Sequence, residues 1–116
     1  MNTVNLMGRL VRTPDTKYPE KEGDVAVTHY TLAVNHSAGG KESTAFVRCV
    51  CFGKLAEFAE SYFYKGIKVV VTGRITTGSY TNKDGQKVYT TDVIVERQEF
   101  AEKKSNNVAQ GQLSFA

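Results

Sequence analysis

No stretch of this chain is apolar for long enough to cross a membrane. The first residues, Met1-Asn-Thr-Val-Asn-Leu-Met7, have neither the basic start nor the apolar centre of a signal peptide. A cytoplasmic protein is therefore expected. Cysteine is scarce: the chain has two, Cys49 and Cys51. They point the same way from an extended segment and are poorly placed to bond without bending the backbone. No further soft ligands lie nearby in sequence to hold a metal. Two buried, reduced thiols acting as small hydrophobes are expected, with no metal and no cofactor. Histidine is equally scarce, with His29 mid-strand and His36 at a loop start. Paired carboxylates, a glycine-rich phosphate loop and a nucleophile motif are all missing, so catalysis is not expected. Tryptophan is absent, which leaves every aromatic role to phenylalanine and tyrosine.

Excess charge is modest too. Lysine and arginine number 15 against 12 acidic residues, a formal net charge of +3. That permits a polyanionic partner without demanding one, so only local clustering matters. The 116 residues, 41% of them hydrophobic, suffice for one domain with one core.

The most informative stretch is Phe46-Val-Arg-Cys-Val-Cys-Phe52-Gly-Lys-Leu-Ala-Glu57. It begins as a strand, in which alternate side chains share a face. Phe46, Arg48, Val50 and Phe52 line one face; Val47, Cys49 and Cys51 line the other. Two aromatics flanking a guanidinium suit a surface that stacks bases and neutralises phosphate. The reverse assignment, with the phenylalanines in the core, would bury Arg48 and expose two cysteines, both unfavourable.

Residues 2–12 alternate, with Val4, Leu6, Gly8 and Leu10 on one face, until Thr13-Pro14-Asp15 breaks the pattern. Residues 17–24 are polar and turn-like. Residues 25–35 form a second strand with Ala26, Thr28, Tyr30, Leu32 and Val34 on one face, and residues 36–43 read as a flexible loop. After the Phe46 strand, Leu55, Phe58, Ala59, Tyr62 and Phe63 make a helical apolar stripe that puts Tyr62 in the core. Gly66 is placed to end that helix. Residues 67–80 and 87–99 form a hairpin about an Asp84-Gly85 turn. The pattern dissolves after about residue 100.

Five strands with a helix between the third and fourth is the order of an OB-fold, an all-β Greek-key barrel. Gly8, Gly73 and Gly78 are candidates for its bulges and bends. The expected division is a barrel domain over 1–100 and a polar tail over 101–116. OB-folds bind single strands across the second and third strands and adjoining loops. Phe46, Arg48 and Phe52 fall there. Lys54 follows Phe52, Lys65 closes the helix, Arg74 lies in the fourth strand, and Tyr80 sits near the last hairpin's tip. Alternative readings make Tyr80 an ordinary hairpin aromatic and Lys65 and Arg74 solubility charges.

The segments Met1–Leu10, Tyr30-Thr-Leu-Ala-Val-Asn35, Phe52-Gly-Lys-Leu-Ala-Glu57, Lys65-Gly-Ile-Lys-Val-Val-Val-Thr-Gly-Arg74 and Gly85-Gln-Lys-Val-Tyr-Thr-Thr-Asp-Val93 closely resemble the bacterial single-stranded DNA-binding protein family. The resemblance implies an OB-fold, usually a homotetramer, that binds and protects single-stranded DNA during replication, recombination and repair without catalysis. It implies stacking on Phe46, Phe52 and Tyr80, where many relatives use tryptophan, and basic contacts from Lys17, Arg48, Lys54 and Lys65. A primosomal adaptor of the same fold is the alternative. A cytoplasmic, nucleoid-associated protein is implied. Two departures stand out. Residues 35–45 carry no aromatic. Residues 102–116 hold one acidic residue and end Leu113-Ser-Phe-Ala116, without the acidic cluster through which relatives recruit replication and repair proteins.

Overall fold

The computed structural model describes residues 1–21 and 23–101. They form β1 (Val4–Leu10), β2 (Asp15–Lys17), β3 (Val27–Ala38), β4 (Lys41–Phe52), α1 (Lys54–Tyr62), β5 (Lys68–Thr81) and β6 (Lys87–Phe100). Strand neighbours run β1-β5-β6-β4-β3-β2, and β1 pairs with β3 as well. That last pairing joins the two sides of the sheet, so β1, β3, β4, β6 and β5 close a barrel. Its pairings are antiparallel except β4–β6, which is parallel. This is the expected OB-fold. The expected tail over 101–116 lies, after Ala101, outside the described residues.

The alternation read in the strands holds. Leu10, Ala26, Thr28, Tyr30, Leu32, Cys49 and Cys51 are all buried. Burial pushes the Cys49 and Cys51 thiols up to about 12, so both remain protonated, as their core position requires. One strand was hidden. β1 ends at Leu10, and after Thr13-Pro14 the chain resumes an extended course at Asp15–Lys17 along β3, with Asp15 opposite His29 and Lys17 opposite Val27. A 2.7 Å hydrogen bond between the Thr16 and Thr28 hydroxyls holds it. That contact is cross-strand, so no local pattern announces it. With β2 counted, the helix follows the fourth strand instead of the third.

The segment expected as a flexible loop over 36–43 is instead mostly strand. β3 and β4 pair along their full length, from Val27 opposite Phe52 to Ala38 opposite Lys41. Only Gly39 and Gly40 turn, both with positive φ (59° and 79°), as the tight primed hairpin turn demands. The β5–β6 hairpin turns on Asn82, whose side-chain oxygen accepts the Asp84 and Gln86 N–H groups, each at 2.9 Å.

The helix plugs the barrel through small residues. Ala56 and Ala59 are fully buried, letting α1 approach closely. Phe58 and Tyr62 are not: Tyr62, expected in the core, is 49% exposed. The helix ends at Tyr62, and Phe63 turns extended. Phe63 then enters the core by its own route, edge-on to Tyr30 at 5.7 Å between ring centroids. Gly66, expected to cap the helix, serves a later turn, in which the Ile67 N–H bonds the Tyr64 carbonyl at 3.1 Å.

Two of the three strand glycines mark close crossings. A Cβ at Gly73 would sit 2.1 Å from the Ile94 carbonyl oxygen, and one at Gly8 2.5 Å from that of Ala33. At Gly78 the nearest atom is 3.4 Å away, so no such constraint applies there. Beside Gly73 the register shifts: Thr72 faces Arg97 but Gly73 faces Val95, leaving Glu96 as an extra residue in β6. A bulge of this kind inverts the alternation beyond it. Gln98 is thereby turned into the core, where it accepts the Tyr30 hydroxyl at 2.8 Å and donates to the Leu55 carbonyl at 2.7 Å. Thr28 donates to the Ala56 carbonyl at 3.0 Å. These bonds fasten the plug to the barrel wall and satisfy its buried polar groups.

Candidate nucleic-acid interface

Residues directly opposite each other in paired strands share a face, so the registers assemble one outer surface. From β4 it takes Phe46, Arg48 and Phe52. Opposite them on β3 lie Ala33, Thr31 and Val27. Ala33 is too small to cover the Phe46 ring, which is 69% exposed; Phe52 is 44% exposed. Val50, placed on the same face by the alternation, is buried. It lies between His29 of β3 and Ile94 of β6, which cover it, so the outward row is interrupted there.

The parallel β4–β6 contact extends this surface. Val50 pairs with Ile94, which places Asp92 beside Arg48. The Arg48 Nε stands 3.6 Å from Asp92 Oδ1, an ion pair longer than a hydrogen bond. That oxygen is buried and has no hydrogen-bond partner among the described residues, so the Arg48 charge is what compensates it. Further along, Thr76 faces Asp92 and Tyr80 faces Val88. Counting by twos puts Tyr80, 57% exposed, on the face that carries Arg48. Arg74 shares that face but is engaged by Glu96 at 3.1 Å, both side chains about half-exposed. Such a pair is worth at most about 1 kcal/mol.

The basic residues expected from sequence separate into two groups. Lys17 and Arg48 line an open groove together with Arg12, Asp15, His29 and Thr31. Lys54 is the first residue of α1, and Lys65 lies in the turn that follows the helix. Arg12 and His29 were not singled out by the sequence. His29 reaches the groove through the pairing of β2 with β3, which the Thr13-Pro14 break concealed, and Arg12 lines it from the segment between β1 and β2. Tyr89 was missed as well. It is 73% exposed and lies opposite Ser79, so it occupies the reverse side of the hairpin from Tyr80. The Lys87 ammonium sits over its ring at 5.5 Å from the centroid.

The surface combines uncovered aromatic rings with guanidinium and ammonium groups on one side of a barrel. The description "Single-strand binding protein family" matches residues 1–101. The chain belongs to the single-strand binding protein family. Among its relatives, a "Single-stranded DNA-binding protein" of Clostridium perfringens is 41% identical, over 99% of this chain and 75% of its own length. "Single-stranded DNA-binding protein B" of Bacillus subtilis is 40% identical, over 93% of this chain and 96% of its own length. "Single-stranded DNA-binding protein 2" of Listeria monocytogenes is also 40% identical, over 93% of this chain and 68% of its own length. Within the family match fall the barrel and every expected site residue from Lys17 to Tyr80.

Proposed function

We propose that this family member binds single-stranded DNA without regard to base sequence. Bases stack on Phe46, Phe52 and Tyr80, and phosphates are neutralised by Lys17, Arg48, Lys54, Lys65 and Arg74. The observation that carries the reading is the shared outward face of Phe46, Arg48 and Tyr80, contributed by two different hairpins. Every base has a π-face, so stacking is tolerant of sequence, at about 1–3 kcal/mol per base. Paired bases in a duplex do not offer those faces. The relatives' names point the same way. The protein serves as a homotetramer in the cytoplasm, on the nucleoid, protecting strands exposed by replication, recombination and repair.

The test is a titration with oligo-dT of several lengths and with a duplex of matched length, followed by tyrosine fluorescence. Tight binding and quenching are expected with oligo-dT, and much weaker binding with duplex. Affinity for oligo-dT falls as salt rises, with a log–log slope of about −0.7 for each phosphate neutralised. Equal affinity for duplex and single strand overturns the reading.

A further inference from the structure

The groove beside Arg48 has a composition that base stacking does not account for. Arg12, Lys17 and Arg48 bring three fixed positive charges to its lining, against the carboxylate of Asp15. His29 stands among them, mid-strand on β3 and directly opposite Asp15 of β2. On its other side Val50 pairs with it, and Asp92 of β6 lies beyond, next to Arg48. The charged groups facing the imidazole are thus Asp15 and Lys17 from β2, Arg48 from β4, Asp92 from β6, and Arg12 from the segment after β1.

We propose that this groove seats one phosphodiester of the bound strand, and that seating it places a proton, drawn from solvent, on His29. The inference rests on the single-strand reading above and extends it to a proton-linked subsite. Without DNA, partial burial and the neighbouring Arg48 charge hold the His29 imidazole below its ordinary range, outweighing Asp15 and Asp92. A phosphodiester is anionic throughout the accessible pH range. Placed among Arg12, Lys17 and Arg48, it offsets the cations that disfavour imidazolium and adds an acceptor for a second ring N–H. The sign follows by linkage. If the bound state holds more protons than the free state, affinity rises as pH falls through the range where His29 titrates. At pH values well above it, His29 contributes as a neutral donor only.

Oligo-dT is the probe, because thymine does not titrate in this range. Full-length protein is titrated with it between pH 5.5 and 8.5 at fixed ionic strength. Affinity is expected to increase about three- to tenfold toward the acid end, the signature of one linked proton. His29→Asn keeps binding but flattens that rise. His36→Asn, which removes the other histidine, leaves the rise intact. An unchanged rise in His29→Asn overturns the proton linkage while leaving the single-strand reading standing. Failure of the native protein to bind oligo-dT at any pH overturns both. Should His29→Asn not fold, NMR titration of the imidazole in the native chain decides. Its midpoint moves up in the complex if the inference is right, and stays or moves down if it is wrong.

Discussion

The two phenylalanines of β4 are alike in chemistry and unlike in setting. Phe46 stands opposite Ala33, Phe52 opposite Val27, and the buried Val50 lies between their rows. The more open ring offers more face to a base. Alanine at either position is expected to weaken oligo-dT binding by about 1–3 kcal/mol, with the larger loss at Phe46, while the thermal midpoint changes little. Titration of the two variants beside their melting curves checks this; an unchanged affinity in Phe46→Ala would remove that ring from the interface. At this scale the sequence was legible where alternation alone decides. It put Phe46, Arg48 and Phe52 outward and both cysteines inward. It misjudged Tyr62 and did not foresee the burial of Val50, because alternation and helical spacing assign a side chain to a face but do not say what covers that face. Ile94, in a strand more than forty residues later, covers Val50. Tyr62 stays outside because α1 turns its Ala56 and Ala59 side to the core, which leaves Phe58 and Tyr62 on its flank. His29 was passed over for a related reason: its neighbours in sequence are uninformative, and its neighbours in space come from β2.

Elements are where a barrel concentrates its constraints. At Gly73 the backbone of β5 approaches that of β6 so closely that a Cβ would overlap the Ile94 carbonyl. Neither partner is a side chain able to swing away, so the strands themselves would have to part. Gly73→Ala is expected to cost about 1–3 kcal/mol or more, seen as a lower urea midpoint. Gly78→Ala, where the nearest contact is an ordinary 3.4 Å, should change the midpoint little and serves as the control. Similar midpoints for the two variants would mean that the close crossing at Gly73 relaxes freely. All three glycines were visible in the sequence as candidate bends, yet nothing local separates the two that touch a neighbouring strand from the one that does not. The same limit hid the bulge at Glu96, whose effect is read only two residues later, when Gln98 points inward to meet Tyr30. It also hid the long β3–β4 hairpin. Its polar, glycine-containing end reads as loop by composition, though a two-glycine turn is all that the strands require.

For the molecule as a whole, a formal charge of +3 spread over 116 residues provides little long-range attraction. Affinity must then come from groups gathered on one face, and in the proposed homotetramer that face is repeated on each subunit. Light scattering is expected to give a mass of about four times the 12.8 kDa chain, unchanged in Phe46→Ala and Phe52→Ala. A monomer or a stable dimer would contradict the tetramer. The architecture of the single chain has one further consequence. β3 with β4, and β5 with β6, are zipped along nearly their whole lengths. Between these two hairpins the β4–β6 seam is only two residue pairs long, Cys49 with Val93 and Val50 with Ile94. Phe46 rides on one hairpin and Tyr80 on the other, both to the same side of the seam. No ladder of hydrogen bonds therefore sets the gap between their rings; the curvature of each hairpin does. Joined by this short seam on one side and by β1 on the other, the two hairpins carry their rings on separate arms, and the shape of those arms, not a shared register, sets the span between two bases stacked on both.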